Sequence, residues 1–383
     1  MSSRLPLNRY RRWMPLLGLV LGTALLAIPV AKHRSSAAVG TTNPQVPWAN
    51  NTSQSGISVP ATPAHATRVA RDAAPRRRAA SQARPRRQTP SATTVRVTRA
   101  RRPIAAKPVR VAAAKPARRS VDAYRGLGSW VDIYDPQAFV RPAAAVRDMA
   151  AHGVRTLYVE TSNSDQSLPI MHPAQMRILI REAHAHKMRI VAWYLPRFTS
   201  VARDAERIEK AIHFHTADGQ RFDSFALDIE STNVSNVAAR NRAVQQLSAK
   251  VRRLAGPSYP LGAIIPSPLD IKHGFWGNPF PYRALARTYD AFLPMSYYTF
   301  RVNGAGPTRA RTIADVRLIR AQPGCSKMPV HVIGGLANKS NPAEVRALAS
   351  GIRASRSIGG SLYTWSGTSP AEWRQLRSLS SMK

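Results

Sequence analysis

Two carboxylates, Asp228 and Glu230, stand two positions apart in an otherwise apolar run. Side chains alternate between the faces of a β-strand, so the two acids should share one face while Leu227 and Ile229 share the other. Carboxylates that lie this close raise each other's pKa, which keeps one of them protonated near neutral pH. The pair therefore predicts acid/base catalysis by these two residues. The alternative is a structural pair that arginine neutralises.

Acidic and aromatic side chains also stand where other short apolar runs end. These positions are Asp132, Glu160, Trp193, Tyr297, Tyr298 and Trp365. Aromatic rings stack on the C–H faces of sugars, and carboxylates supply the acid/base chemistry of glycoside hydrolysis. The mixture predicts a carbohydrate site, with Trp193, Tyr298, Glu160 and Asp132 among the residues that bind the substrate.

The histidines and the single cysteine point to no metal or redox chemistry. His184 and His186, like His213 and His215, are two positions apart on predicted helices, so the members of each pair do not share a face. Cys325 is the only cysteine, which excludes an internal disulfide. We expect neither a metal nor another cofactor.

Short β-branched or aromatic runs alternate with stretches of helical period from residue 125 onward, as in repeated βα units. The predicted strands span 127–133, 154–160, 189–195, 225–230, 261–265, 291–297, 330–333 and 360–365. The predicted helices span 142–152, 173–186, 204–215, 237–254, 282–287, 313–321, 342–355 and 370–379. Eight repeats predict a closed (β/α)8 TIM barrel of the α/β class, whose active site lies at the carboxyl ends of the strands.

Charge divides the chain into a basic first part and a mixed second part. Residues 1–119 contain 23 Lys and Arg but a single acid, Asp72, whereas residues 120–383 contain 34 Lys and Arg and 19 acids. The second part is close to the length of one barrel, about 250 residues. We therefore assign the barrel to residues 120–383.

The first 31 residues have the features of a targeting segment. Four arginines precede an uncharged apolar run over residues 13–31. A run of this length can span a bilayer of about 30 Å as a single helix, with the N-terminus in the cytoplasm. The alternative is a cleaved signal peptide. The expected location is the cell membrane with an extracytoplasmic barrel, or secretion.

Residues 32–119 are rich in Arg, Pro and Ala and poor in aromatic residues. Such a composition cannot bury enough apolar surface to fold, so we expect a disordered linker. Its positive charge predicts contact with acidic wall polymers or anionic lipids, while the alternative is a solvated spacer. Nucleic acid is not an expected partner, because the targeting segment removes the chain from the cytosol and the linker lacks interleaved aromatic residues.

The octapeptide from Asp223 to Glu230, Asp-Ser-Phe-Ala-Leu-Asp-Ile-Glu, resembles the strand-four Asp-Gly-x-Asp-x-Asp-x-Glu signature of chitinase-like family 18 glycoside hydrolases. The resemblance implies that Glu230 is the general acid/base. It also implies that Asp228 orients the N-acetyl group of the substrate and stabilises its oxazolinium. Ala226 stands where the family has its first inner aspartate, and Ser224 stands where the family has glycine.

Two further elements carry the resemblance. The sequence Pro-Met-Ser-Tyr-Tyr at 294–298 is similar to the strand-six Met-x-Tyr motif, which implies that Tyr297 binds the acetamide. Trp365 matches the strand-eight tryptophan that forms the floor of the sugar pocket. Tyr298 replaces an acid that follows the tyrosine in the family. The Asp-x-Glu pair also resembles family 25 lysozymes, whose first-strand aspartate would be Asp132.

These observations predict a glycoside hydrolase that acts on an extracellular or cell-wall polysaccharide, N-acetylated or related. Glu230 donates the proton, and the acetamide held by Asp228 attacks C1. A substrate without an N-acetyl group requires a second carboxylate, for which Glu160 and Asp132 are the candidates. The alternative function is a non-catalytic barrel that binds carbohydrate or cell wall, which the alanine at position 226 favours.

Overall fold

The computed structural model describes residues 119–382, within which eight parallel strands close into a barrel. The strands follow one another around the ring in chain order, and β1 pairs with β8. They are β1 Gly126–Val131, β2 Thr156–Asn163, β3 Arg189–Leu195, β4 Ser224–Asp228, β5 Leu261–Pro266, β6 Ala291–Met295, β7 His331–Leu336 and β8 Gly359–Tyr363. The predicted (β/α)8 barrel is confirmed.

Helices follow each strand within the described range. They are α1 Pro136–Val140, α2 Pro142–Ala151, α3 Pro173–Ala185, α4 Val201–Ile212, α5 Val237–Ala255, α6 Pro268–Lys272, α7 Tyr282–Thr288, α8 Ala305–Arg320, α9 Pro342–Ala354 and α10 Pro370–Leu376. Polar side chains cap several first turns: Asp135 accepts hydrogen bonds from two backbone N–H groups of α1, and Ser369 and Glu372 form a capping box on α10. The predicted helices are present, and α1 and α6 are two short additions in βα loops.

Two boundaries after the fifth strand differ from the sequence prediction. Helix α8 begins at Ala305 rather than at residue 313, although Gly306 and Pro307 are poor helix formers. Proline is tolerated in the first helical turn because its missing N–H has no partner there. Strand β6 ends at Met295, two residues before the predicted end, and Tyr297 has a φ of 29° as the chain turns away.

The outer face of the sheet packs against the helices. Leu227 and Ile229 of the fourth strand region are fully buried in this apolar layer, together with Val244 and Leu247 of α5. Burial of such side chains contributes roughly 1.5–3 kcal/mol each relative to exposure. Because strand side chains alternate, this packing directs the intervening Asp228 toward the barrel interior.

Aromatic rings fill the interior of the barrel. Trp130 stacks on Tyr158 with ring centroids 4.3 Å apart, and its indole nitrogen donates to the Ser361 hydroxyl at 2.8 Å. Trp193 meets Trp130 edge-on at 6.0 Å. Glycine is required at position 128, because a Cβ there would lie 2.6 Å from the Tyr158 ring. The interior is therefore a packed core that supports the rim above it.

Ion pairs surround the amino ends of the strands, which form the base of the barrel. Asp223, immediately before β4, binds the Arg189 guanidinium at 2.9 Å and the His184 imidazole at 3.0 Å. Asp290, immediately before β6, binds Arg252 at 2.9 Å and Arg119 at 2.8 Å. The hydrogen bond to Asp223 raises the pKa of His184. The Asp223–Arg189 pair joins the starts of β3 and β4, and Asp290 joins the start of β6 to α5 and to Arg119.

A buried histidine lies above this base. His331 donates from Nδ1 to the carbonyl oxygen of Tyr124 at 2.9 Å and accepts at Nε2 from the Ser361 hydroxyl at 3.0 Å. Burial lowers the pKa of His331 to about 4, because the interior disfavours the charged imidazolium. The side chain is therefore neutral in the fold at neutral pH.

The predicted targeting segment, residues 1–31, lies outside the described residues, and so does the predicted linker up to residue 118. Among residues 119–382 no helix combines the length and hydropathy required to cross a membrane. The closed sheet extends from residue 126 to residue 363, and the assignment of the domain to residues 120–383 stays a prediction.

Candidate functional site

The paired acids lie at the carboxyl end of β4, at the barrel mouth. Asp228 is the last residue of the strand, and the backbone of Ile229 extends the ladder by donating to Ile264 at 2.8 Å. Asp228 is 4% exposed and Glu230 is 8% exposed. Since Leu227 and Ile229 face the helices, the alternation predicted from sequence is present. Two nearly buried carboxylates at this rim can exchange protons with a bound substrate.

A second carboxylate, Asp132, follows β1 and is held by two donors. The Tyr363 hydroxyl donates to its Oδ2 at 2.6 Å, and the backbone N–H of Tyr134 donates to its Oδ1 at 2.9 Å. A distance of 2.6 Å is typical of a charge-assisted hydrogen bond from a hydroxyl to a carboxylate. Asp132 is thus oriented from both sides at the junction of β1 and β8.

Glu160 is fully buried near the end of β2. Its Oε2 accepts from the backbone N–H of Ile133 at 3.3 Å, and its Oε1 accepts from the Asn163 side-chain amide at 3.1 Å. The register of β2 with β3 shifts between Glu160 and Ser162. Irregularities of this kind redirect side chains, and they are frequent beside active sites. Asp132 and Glu160 are therefore both tied to the segment that leaves β1.

An aromatic cluster lies beside these acids. Tyr363, the last residue of β8, has its ring 6.4 Å from that of Tyr297 and 6.3 Å from that of Trp130. Tyr297 is partly exposed, whereas Trp193 is 2% exposed and packs against Trp130. The structure thus brings Tyr297 to the mouth and places Trp193 in the layer beneath it.

Tyr363 stands with Trp365 among the aromatic residues at the end of the last predicted strand, but only Trp365 is assigned a sugar contact from the sequence. The strand ends at Tyr363, so the alternation stops there. Tyr363, rather than Trp365, is the aromatic residue that contacts both Asp132 and the Tyr297 ring.

Two of the predicted substrate contacts have other surroundings. The indole nitrogen of Trp365 donates to the Asp148 carboxylate of α2 at 2.8 Å, and the ring packs against the apolar layer outside the sheet. Tyr298 is 1% exposed, and its hydroxyl donates to Ser340 at 2.8 Å. The structure does not support the predicted sugar contact of Tyr298, because the chain turns after β6 and buries this ring.

The arrangement is a ring of parallel strands with carboxylates from β1, β2 and β4 and aromatic rings from β6 and β8 at one rim. Glycoside hydrolases share this barrel. The chain superimposes on an endo-1,4-β-D-mannanase from Thermotoga petrophila RKU-1 with a TM-score of 0.52 and 10% identity, covering 68% of this chain and 100% of that one. It also superimposes on an exo-β-1,4-mannosidase from Opitutaceae bacterium strain TAV5 with a TM-score of 0.52 and 11% sequence identity. That match covers 68% of this chain and 61% of that one.

A family 18 chitinase from Cycas revoluta is a more distant structural neighbour, with a TM-score of 0.47 and 10% identity over 67% of this chain and 99% of that one. No protein-family model matches the sequence, and no curated protein is similar to it at the sequence level. At identities this low the similarity shows the fold alone, a (β/α)8 barrel.

Proposed function

We propose that this chain hydrolyses glycosidic bonds in an extracellular or cell-wall polysaccharide, with Glu230 as the general acid and Asp228 assisting. The single observation that carries the proposal is the pair of nearly buried carboxylates at the carboxyl end of β4, at the rim of the barrel. The ends of barrel strands are where this fold places catalytic groups.

For an N-acetylated substrate, Glu230 transfers its proton to the glycosidic oxygen as the bond to C1 breaks. The acetamide oxygen of the same sugar attacks C1, and Asp228 accepts the hydrogen bond of the acetamide N–H while charge develops. Tyr297, at the rim beside Tyr363, donates to the acetamide oxygen. Water then opens the oxazolinium with Glu230 as the base, and the anomeric configuration is retained.

A substrate without an acetamide requires a carboxylate as the nucleophile or as the base. Asp132 is the better placed candidate, because the Tyr363 hydroxyl fixes one of its oxygens and it is 4% exposed, whereas Glu160 is fully buried. Mannan belongs among the substrates to test, since two of the proteins that share the barrel are named for β-1,4-mannoside cleavage.

The second candidate function is a barrel that binds polysaccharide without cleaving it. Ala226 favours this function, because it is fully buried on the inner face of β4 where chitinase-like enzymes have an additional aspartate. A carboxylate missing from that position removes one group that could pass a proton to Asp228.

The deciding experiment compares the full chain with Glu230→Gln on peptidoglycan glycan strands, N-acetylglucosamine oligomers and β-mannan. We expect hydrolysis of one substrate to fall by about 10²–10⁴-fold while binding persists, because the amide keeps the shape and loses the proton. Glu206→Gln, a change at an exposed carboxylate on α4, is the matched control and should retain full activity. Binding without cleavage by the unmodified chain would establish the second function.

We also propose that residues 13–31 attach the chain to the membrane and that the basic linker contacts acidic wall polymers or anionic lipids. The support is the uncharged apolar run and the excess of arginine in the linker. Fractionation of cells that express the full chain or a chain without residues 1–31 tests this. Equal recovery of both in the soluble fraction would contradict the anchor.

A further inference from the structure

Tyr134 is a large aromatic side chain that stays open to solvent at the barrel mouth. It is 46% exposed, although it stands only two residues after Asp132 and its backbone N–H donates to that carboxylate. An exposed aromatic ring beside buried carboxylates offers a flat apolar face and a polar hydroxyl to a ligand at the mouth.

The hydroxyl of Tyr134 is fixed by two amides. Asn163 Nδ2 donates to it at 3.0 Å, and Gln166 Nε2 donates to it at 3.1 Å. The same Asn163 nitrogen donates to Glu160 Oε1 at 3.1 Å. One amide thus links the exposed tyrosine to a carboxylate at the mouth. With its backbone and its hydroxyl both tethered, the ring is held in one orientation while solvent reaches it.

A buried arginine holds the loop that supplies those amides. Arg207 of α4 is 5% exposed, and its guanidinium donates to the carbonyl oxygens of Asn163 at 2.9 Å and Leu168 at 3.2 Å, and also to that of Gln166. It further donates to the Ser162 hydroxyl at 3.1 Å. Several bonds from one rigid, planar group fix the course of the loop after β2. The loop and the Tyr134 ring that it supports are therefore held in place without a ligand.

We propose that Tyr134 is a sugar-stacking subsite next to the catalytic centre, where it takes the C–H face of a pyranose ring of an oligosaccharide whose neighbouring unit lies among the mouth carboxylates. This inference rests on the proposed function, because it assumes a carbohydrate ligand. Preformed aromatic faces bind pyranoses at low entropic cost, since no side chain has to be ordered on binding. Arg207 is a positioning residue, because it acts on the subsite through the loop.

The test measures binding of two probes, N-acetylglucosamine tetramer and mannotetraose, by titration calorimetry on the full chain carrying Glu230→Gln. In this background Tyr134→Ala should lower the affinity for the probe by about fivefold to tenfold, the effect of losing one aromatic contact. Tyr134→Phe keeps the ring and should stay within about twofold. Val140→Ala, at a residue that is 75% exposed in the same βα loop, is the control and should change nothing.

A second variant examines the support of the loop. Arg207→Lys should lower the affinity for the same probe and speed amide hydrogen exchange over residues 164–171. One ammonium group cannot reach all the carbonyl oxygens that the guanidinium binds. Tyr134→Ala should leave that exchange unchanged. Equal affinities for Tyr134→Ala and its parent overturn the subsite, and so does a parent chain that binds neither probe.

The same variants distinguish failure of the subsite from failure of the proposed catalytic function. If Glu230→Gln removes hydrolysis while Tyr134→Ala binds as tightly as its parent, the catalytic assignment stands and the subsite fails. If Tyr134→Ala weakens binding while Glu230→Gln leaves hydrolysis intact, the subsite stands and the catalytic assignment fails.

Discussion

At the base of the barrel Asp223 and Asp290 bind arginine or histidine side chains, whereas at the mouth Asp132 and Glu160 accept hydrogen bonds from hydroxyl and amide groups. Asp223 at the base binds Arg189 and His184, and these contacts help to lower the pKa of Asp223 although burial alone would raise it. At the mouth, Asp132 accepts from the Tyr363 hydroxyl, and Glu160 accepts from the Asn163 amide.

The difference separates the two ends by role. Ion pairs at the base join strand starts to neighbouring segments, so their removal should lower the free energy of unfolding. Oriented acids at the mouth should matter for turnover more than for the fold. In a TIM barrel the carboxyl ends of the strands carry chemistry and the amino ends carry stability. Variants at the two ends can test whether this chain follows that division.

The largest expected effect is at the mouth. Asp228→Asn should lower turnover of the cleaved polysaccharide by about a hundredfold or more, because the lost charge supports the cationic transition state. The free energy of unfolding should change by less than about 1 kcal/mol, since the amide keeps the shape. Steady-state kinetics and urea denaturation of the same preparations measure both. A large loss of stability with unchanged turnover would mean that Asp228 stabilises the fold and does not take part in catalysis.

The pH dependence of stability provides the next test, at His331. Its pKa in the fold is about 4 against 6.5 in the unfolded chain, so between these values the unfolded chain binds the additional proton. The contribution of the neutral histidine is fully present above pH 6.5 and is lost as the pH falls toward 4. We expect a loss of about 3 kcal/mol between pH 7 and pH 4.

Urea denaturation at a series of pH values measures this loss. His331→Gln removes the titrating group, so the free energy of unfolding should change by about 3 kcal/mol less between pH 7 and pH 4, with a shallower slope against pH. Identical slopes for the two chains would mean that His331 is not held neutral.

At the base, Asp223→Asn should destabilise the fold by about 2 kcal/mol. The change removes the charge that Arg189 and His184 share, and Asp223 is only 16% exposed in its side chain. Asp122→Asn is the matched control, because that carboxylate is 66% exposed and lies 3.3 Å from Arg125, a pair worth about 0.5 kcal/mol or less. Turnover of the folded fraction should stay unchanged in both variants. A fall in turnover for Asp223→Asn alone would mean that residues at the base also contribute to catalysis.

The smallest expected effect is at Tyr363→Phe, which removes one donor to Asp132 and keeps the ring. We expect turnover to fall by about fivefold to tenfold, the effect of losing one hydrogen bond to a charged acceptor. Kinetics with and without an N-acetyl group on the substrate would sharpen the result. A larger fall for the substrate without the group would indicate that Asp132 takes part in its cleavage.

The alternation of residues along the sequence predicted the direction of side chains correctly within each strand. The burial of Leu227 and Ile229 against the helices was predicted, and it leaves Asp228, the last residue of β4, on the inner face. The same reasoning selected Trp365, but β8 ends at Tyr363 and the indole turns to α2. Alternation holds only inside a strand, and the end of a strand depends on hydrogen bonds with neighbours.

The length of helix α8 shows the same limit. Gly306 and Pro307 have low helix propensity, which placed the predicted start eight residues too late. In the structure they occupy the first turn, where propensity matters least because the N–H groups have no helical partner. The supporting contacts of Tyr134, to Asn163 and Gln166, had no local signal at all.

By itself the sequence determined the repeating βα units, the closed barrel they imply and the strand end that carries the acid pair. These depend on periods of two and of 3.6 residues, which adjacent residues encode. Only the tertiary structure decided which aromatic residue meets Asp132, because that contact joins residues 231 positions apart across the closure of β1 with β8. It also decided that Arg207 holds the loop after β2, since a buried guanidinium finds its acceptors only when the helix and the loop have packed.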